Sequence, residues 1–147
     1  MLSKKSKYAI HALVYLATKQ DAGPVLISEI SEHQHIPKKF LEAILLDLRN
    51  AGILNSKKGK GGGYYLIKPA SEVNLADVVR LFEGAIALLP CVTHRYYEPC
   101  AECEDESKCG IRDVFMDIRN ETVNILKQST LQDILHREMK LSKPASS

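Results

Sequence analysis

Residues 51–69 read Ala51-Gly52-Ile53-Leu54-Asn55-Ser56-Lys57-Lys58-Gly59-Lys60-Gly61-Gly62-Gly63-Tyr64-Tyr65-Leu66-Ile67-Lys68-Pro69. Two apolar runs flank a basic, glycine-rich middle, which is the pattern of a hairpin with a long tip. Ile53 and Leu54 start one strand. Tyr64 to Ile67 form the return, and Pro69 ends it because proline cannot donate to a ladder. The tip carries Lys57, Lys58 and Lys60 among glycines that let a backbone approach a phosphate or a minor groove closely. The run joins two strands and does not open a helix, which argues against a nucleotide cradle.

Helical patterns precede this hairpin. Ile10, Leu13, Val14 and Ala17 recur at helical spacing and predict a first helix from about Lys4 to Lys19, ended by Asp21-Ala22-Gly23-Pro24. A short second helix is expected over Ile27 to His33, with Ile27 and Ile30 inward. Pro37 suits the first turn of a third helix, which buries Phe40, Leu41, Ile44, Leu45 and Leu48 and stops at Gly52. Three helices followed by a two-stranded hairpin with a basic tip is the order of a winged helix-turn-helix. The expected fold is therefore mainly α with a small β-hairpin.

Beyond Pro69, Asn74 with Asp77 three residues on caps a fourth helix, with Leu75, Val78, Val79 and Phe82 inward and Gly84 at its end. Ile111, Val114, Phe115, Ile118, Thr122, Ile125 and Leu126 mark a helix of about twenty residues with a narrow apolar stripe. Little sequence remains to cover that stripe, so a helix from a second copy is its expected cover and the chain is expected to be a homodimer. Thr130 with Asp133 caps a short final helix through Leu135, and Lys140 to Ser147 reads as a frayed tail. The expected division is a DNA-binding domain at 1–84, a cysteine-containing sensor loop at 85–110, a dimerisation helix and short C-terminal helix at 111–137, and a flexible tail at 138–147.

A chain of 147 residues, 45% hydrophobic and 26% charged, has the composition of a globular protein with a real core. It has no apolar run long enough for a membrane span and no small-residue cleavage site behind its basic N-terminus, so a cytoplasmic location is expected. The net charge of +2 conceals an asymmetry. Residues 1–68 hold eleven Lys and Arg against five Asp and Glu, whereas residues 69–147 hold nine against thirteen. The front half suits a polyanion and the rear half does not.

Cys91, Cys100, Cys103 and Cys109 are all the cysteines of the chain, within nineteen residues of one charge-rich loop. Such a cluster points to a bound metal or a redox switch. Cys100 and Cys103 have a common zinc spacing, and four thiolates make a closed tetrahedral site. The same pair is a conceivable redox couple, although a thioredoxin-like βαβ context is missing. His94 lies inside the loop as an exposed histidine, and His33 and His35 read as helix-end or turn residues. Glu98, Glu102, Glu104, Asp105 and Glu106 surround the thiols and disfavour added negative charge there. No Ser/His/Asp arrangement or carboxylate pair suggests an enzyme.

A recognition helix presents its N-terminal residues to base edges. Here that end offers Lys38, Lys39 and Glu42 on the face opposite the apolar stripe: lysines for phosphate or guanine, glutamate for cytosine N4. With the hairpin these give a candidate DNA-contacting set of Lys38, Lys39, Glu42, Lys57, Lys58, Lys60 and Tyr64.

Ser6-Lys7-Tyr8-Ala9, Gly23-Pro24-Val25, Ile36-Pro37, Phe40-Leu41-Glu42, Ala51-Gly52-Ile53-Leu54 and Gly59-Lys60-Gly61-Gly62-Gly63-Tyr64 resemble the Rrf2 family of bacterial transcription regulators, over roughly residues 1 to 135. The resemblance implies a dimeric winged helix in which Lys38, Lys39 and Glu42 match groove-reading positions and Lys58 the minor-groove wing residue. Sensing members of that family carry three cysteines after the fourth helix, the last two separated by five residues. Cys91, Cys103 and Cys109 match them, and Cys100 is extra. The histidine that some iron–sulfur members place three residues after the last cysteine is absent, and Arg112 stands there. The resemblance thus implies an iron–sulfur cluster, 2Fe-2S or 4Fe-4S, on Cys91, Cys103 and Cys109, with Cys100 as the fourth ligand and zinc as the alternative. It implies a regulator that senses iron–sulfur status, redox state or nitric oxide. The rivals are the same regulator with a zinc-stabilised or metal-free loop under a protein partner, and a thiol oxidoreductase.

Overall fold

A computed structural model describes residues 2–144 of the chain. Its α-helices are α1 (Lys4–Thr18), α2 (Ile27–Gln34), α3 (Lys38–Asn50), α4 (Leu75–Glu83), α5 (Gly110–Gln128) and α6 (Leu131–Leu141). Between α3 and α4 lies the hairpin of β1 (Leu54–Lys57) and β2 (Gly63–Leu66). The order is that of a winged helix-turn-helix with three further helices appended.

Helix α1 is the axis of the core. Ser3 caps it by accepting the Ser6 backbone N–H at 3.2 Å, and α2, α3, α4, α6 and β2 all pack against it. The expected stripe captures only part of its burial. Ala9, Ala12 and Leu16 are buried beside Leu13, Val14 and Ala17, whereas Ile10 is only partly so. A helix surrounded on most sides is apolar on most sides, and its alanines let neighbouring backbones come close.

Helix α3 buries Leu41, Ile44, Leu45 and Leu48 completely. Phe40, expected inside, is 44% exposed and meets Tyr8 edge-on at 5.6 Å between ring centroids. It sits about a quarter turn from the centre of the buried stripe, at the core's rim. Pro37 is the N-cap residue and not a first-turn residue. Gly52, with φ of 78°, follows the helix end as expected.

The strands pair antiparallel in the register Leu54↔Leu66 and Lys57↔Gly63. Val25 adds a one-residue third strand that the sequence did not announce. It exchanges both backbone hydrogen bonds with Tyr64, each at 2.8 Å. A Cβ on Gly63 would lie 2.4 Å from the Val25 carbonyl group, and one on Gly62 would lie 2.2 Å from the Lys57 carbonyl oxygen. These two glycines are therefore dictated by the hairpin itself. Half of the glycine run thus serves the hairpin's own packing, besides allowing the close backbone approach expected of it.

Asn74 caps α4 by accepting the Asp77 N–H at 3.0 Å. Helix α5 lies against α4 and the short turn Pro90–Val92, with Val123 as its one buried residue. The expected stripe stays open: Ile111, Val114, Ile118 and Ile125 are exposed. Helix α6 starts in a complete Thr130–Asp133 capping box and returns to α1, where Leu131 is fully buried. It runs to Leu141, past the expected end at Leu135, so residues 138–141 are helix and not tail. Residues 145–147 of the expected tail lie outside the described residues. Among the described residues no helix is long and apolar enough to cross a membrane.

Candidate nucleic-acid interface and cysteine loop

Lys38, Lys39 and Glu42 stand exposed on the first turns of α3, while Leu41, Ile44 and Leu45 anchor its other side. Lys57 ends β1, and Lys58 and Lys60 lie in the turn between the strands, all exposed. Among the described residues none of these lysines is paired with a carboxylate. The ion pairs present are Lys5–Asp47, Lys108–Asp105 and Arg112–Glu106. Tyr64 differs from the rest of the set. It is half-buried, packs against the core and is tied through its backbone to Val25. Free cations on two elements that the core holds rigid can neutralise phosphates with little reorganisation.

The loop between α4 and α5 is held from the α5 side. Arg112 Nε donates to the Cys91 carbonyl oxygen at 3.3 Å and lies 3.8 Å from the Glu106 carboxylate. The Tyr97 hydroxyl donates to the same carboxylate. Two turns along, Arg119 Nη1 donates to the Val92 carbonyl oxygen at 2.6 Å. Cys109 Sγ caps α5, accepting the Arg112 N–H at 3.4 Å.

The thiols occupy different environments. Cys91 is buried, Cys103 and Cys109 are half-buried, and Cys100 is exposed. Burial, then the neighbouring Cys109, pushes the Cys103 thiol above its ordinary range. The Cys100 thiol donates to Glu102 Oε2 at 3.1 Å, and that bond is the main reason its pKa is raised. So Cys109 lies near enough to Cys103 to shift it, while Cys91 is tied to Arg112 by its backbone carbonyl. Cys100 is engaged by Glu102, with Cys103 near enough to add to its shift. Among the described residues no three His, Cys, Asp or Glu side chains are gathered closely enough to hold a metal. Two of the four sulfurs are engaged by hydrogen bonds, Cys100 donating to Glu102 and Cys109 accepting at the α5 N-terminus. His33 stacks on Tyr15 at 5.2 Å, and His94 is exposed, as read.

One polar constellation escaped the sequence reading. Glu83, the last residue of α4, accepts the Ser3 N–H at 2.8 Å and the hydroxyl of the fully buried Ser6 at 2.5 Å. It puts a carboxylate at the positive end of α1, directly before the chain enters the cysteine loop. The partners are 77 residues apart, and no local pattern announces them.

The model of the Rrf2 family, described as iron-dependent transcriptional regulators, matches residues 2–137. An rrf2-like HTH-type transcriptional regulator of Rhodobacter capsulatus is 42% identical over 138 residues, 92% of each chain. The HTH-type transcriptional regulator IscR of Escherichia coli is 28% identical, covering 93% of this chain and 81% of its own. Among solved structures, CymR, the global cysteine regulator of B. subtilis, superposes with a TM-score of 0.76 at 28% identity, covering 91% of this chain and 95% of its own.

Proposed function

The chain belongs to the Rrf2 family of transcriptional regulators, which are not enzymes, and from that premise we propose a cytoplasmic homodimer that grips operator DNA and senses iron–sulfur status, redox state or nitric oxide through its cysteine loop. One observation carries the DNA reading: exposed, unpaired lysines stand on both α3 and the hairpin tip of a family fold whose members regulate transcription. Lys38, Lys39 and Glu42 meet the major groove, and Lys57, Lys58 and Lys60 meet phosphate or the minor groove. Lys58→Ala weakens binding and lowers the slope of log affinity against log salt by about 1. Unchanged affinity defeats the wing assignment.

Dimerisation is supported by the open stripe of Ile111, Val114, Ile118 and Ile125 on α5. A second copy covers it and sets two recognition helices about one DNA turn, roughly 34 Å, apart. Sedimentation of Ile118→Glu should give monomer where the parent chain gives dimer.

For the loop, the donor chemistry fits a thiolate-bound iron–sulfur centre: Cys91, Cys103 and Cys109, completed by Cys100 once it leaves Glu102. When bound, the cluster supplies redox- and ligand-reactive iron. The chain's own part is to hold the loop on α5 through Arg112 and Arg119, so that rearrangement at the thiols moves α5 relative to α4. The family's iron-dependent description supports this assignment. A second reading rests on the adjacency of Cys103 and Cys109, which suits a disulfide switch. Anaerobic purification with iron, acid-labile sulfide and zinc analysis separates them. Iron with sulfide supports the cluster, and stoichiometric zinc replaces it with a structural metal. Neither, with a Cys103–Cys109 disulfide after mild oxidation, supports the switch.

A further inference from the structure

Arg80, His94, Arg95 and Lys127 line one cavity of about 290 Å³, together with residues 84–86. They come from three separate elements: the last turn of α4, the cysteine loop and the last turn of α5. Arg119 stands near enough to be the first cause holding the His94 imidazole below its usual range, ahead of burial, Arg80 and Lys127. Residues 69–147 contain nine Lys and Arg against thirteen Asp and Glu. Three of those cations nevertheless line this cavity and a fourth, Arg119, stands near its histidine, and among the described residues none is in an ion pair with a carboxylate.

Like charges gathered without an ion-paired carboxylate raise the energy of the fold and concentrate anions. Helix-end electrostatics accounts for Arg80 and Lys127, which sit where cations complement terminal carbonyls. It does not account for Arg95 and His94, which belong to no helix. The size of the ligand is bounded by the neighbouring cavity, about 480 Å³, which shares Arg80 and Arg95 but carries Glu72 and Asp77 on its wall. A long polyanion extending that way meets both carboxylates and gains only Lys68 as a further cation, whereas a compact ion stays among Arg80, Arg95 and Lys127.

We infer that this cavity binds a small dianion of the sulfate or phosphate type, free or as the head of a small metabolite, held by Arg80, Arg95 and Lys127. Its occupant bridges α4, the cysteine loop and α5. It therefore biases the relative setting of the DNA-contacting half and α5, by as much as its affinity differs between their arrangements.

Calorimetric titration of the full chain with sodium sulfate, inorganic phosphate and a simple phosphomonoester, against chloride at equal ionic strength, tests the assignment without DNA. Saturable binding of at least one is expected, with the tightest showing whether the ligand is the free ion or an ester. Arg95→Gln with Lys127→Gln weakens it by about tenfold or more, since two charge-assisted contacts are lost. The unfolding midpoint in chloride reports whether that variant folds, and the single Arg95→Gln, at an exposed site, serves if it does not. The bound dianion also reverses the local field, so the His94 ring should titrate at higher pH in its NMR spectrum. No saturable binding of any of the three anions, or undiminished affinity in the folded variants, overturns the inference.

Discussion

The hairpin tip and the cysteine loop are both excursions from one helical core, yet they are fixed by different means. The tip rests on a paired ladder, on the Val25–Tyr64 exchange and on glycines whose missing Cβ atoms let backbones touch. The loop, residues 84–109, has only two short 3-10 turns and is held mainly by Arg112 and Arg119 reaching its backbone carbonyls. Helix α5 beyond it buries a single residue, Val123. The front of the molecule is specified by its own chain. The rear leaves an apolar face of α5 and a loop of four free thiols open, which is where the proposed second copy, inorganic centre or anion would act.

The sharpest way to test that contrast is to damage the front. Leu45→Ala opens a hole in a fully buried site and should cost about 2–5 kcal/mol in denaturant unfolding. A loss under 1 kcal/mol would mean that the core around α3 is looser than its burial implies. Gly63→Ala comes next. Its Cβ meets the Val25 carbonyl at 2.4 Å and its φ is 141°, so roughly 2–3 kcal/mol is expected, with faster hydrogen exchange at Val25 and Tyr64. Gly61→Ala is the control, with open space around it and a backbone penalty alone of about 1–2 kcal/mol.

The parts legible in the sequence are those fixed by short-range chemistry. Asn74 with Asp77 and Thr130 with Asp133 announce helix starts because cap and partner lie within one turn. The α3 stripe is likewise a matter of spacing. What stayed hidden depends on distant partners: the one-residue Val25 strand, the return of α6 to α1, and Ser6 with Glu83. The surroundings of α1 blurred its period, since a helix enclosed on most sides loses its polar face. At the candidate site the positions of the thiols could be read, but not that Glu102 would engage Cys100. The cation-lined cavity was invisible because its charges are spread from Arg80 to Lys127 and meet only in three dimensions.

Glu83 joins the two regions and gives a smaller, pH-dependent effect. Hydrogen bonds from Ser6, then Ser3, hold its carboxyl below the ordinary 4.5. A depressed carboxylate adds stability that is present above its unfolded pKa and lost as pH falls through the folded one. Glu83→Gln should therefore cost about 1 kcal/mol at neutral pH. The cost should shrink as the pH drops below 4.5, so parent and variant unfold alike in acid. A difference that stays constant into the acid range would assign the effect to shape and not to charge.

The smallest effect is expected where the contrast is most exposed. Cys100 is a surface residue whose one side-chain bond goes to Glu102, so Cys100→Ser in metal-free protein should move unfolding by less than about 0.5 kcal/mol. The same substitution acquires a consequence only if the loop is completed by a bound centre. Anaerobically reconstituted Cys100→Ser should then hold less iron and sulfide, or lose them faster, than the parent chain. Equal retention would remove Cys100 from the ligand set and leave Cys91, Cys103 and Cys109 to be completed by another donor. A large cost in the metal-free state would break the comparison itself, since it would show the loop to be self-supporting in the way the hairpin is.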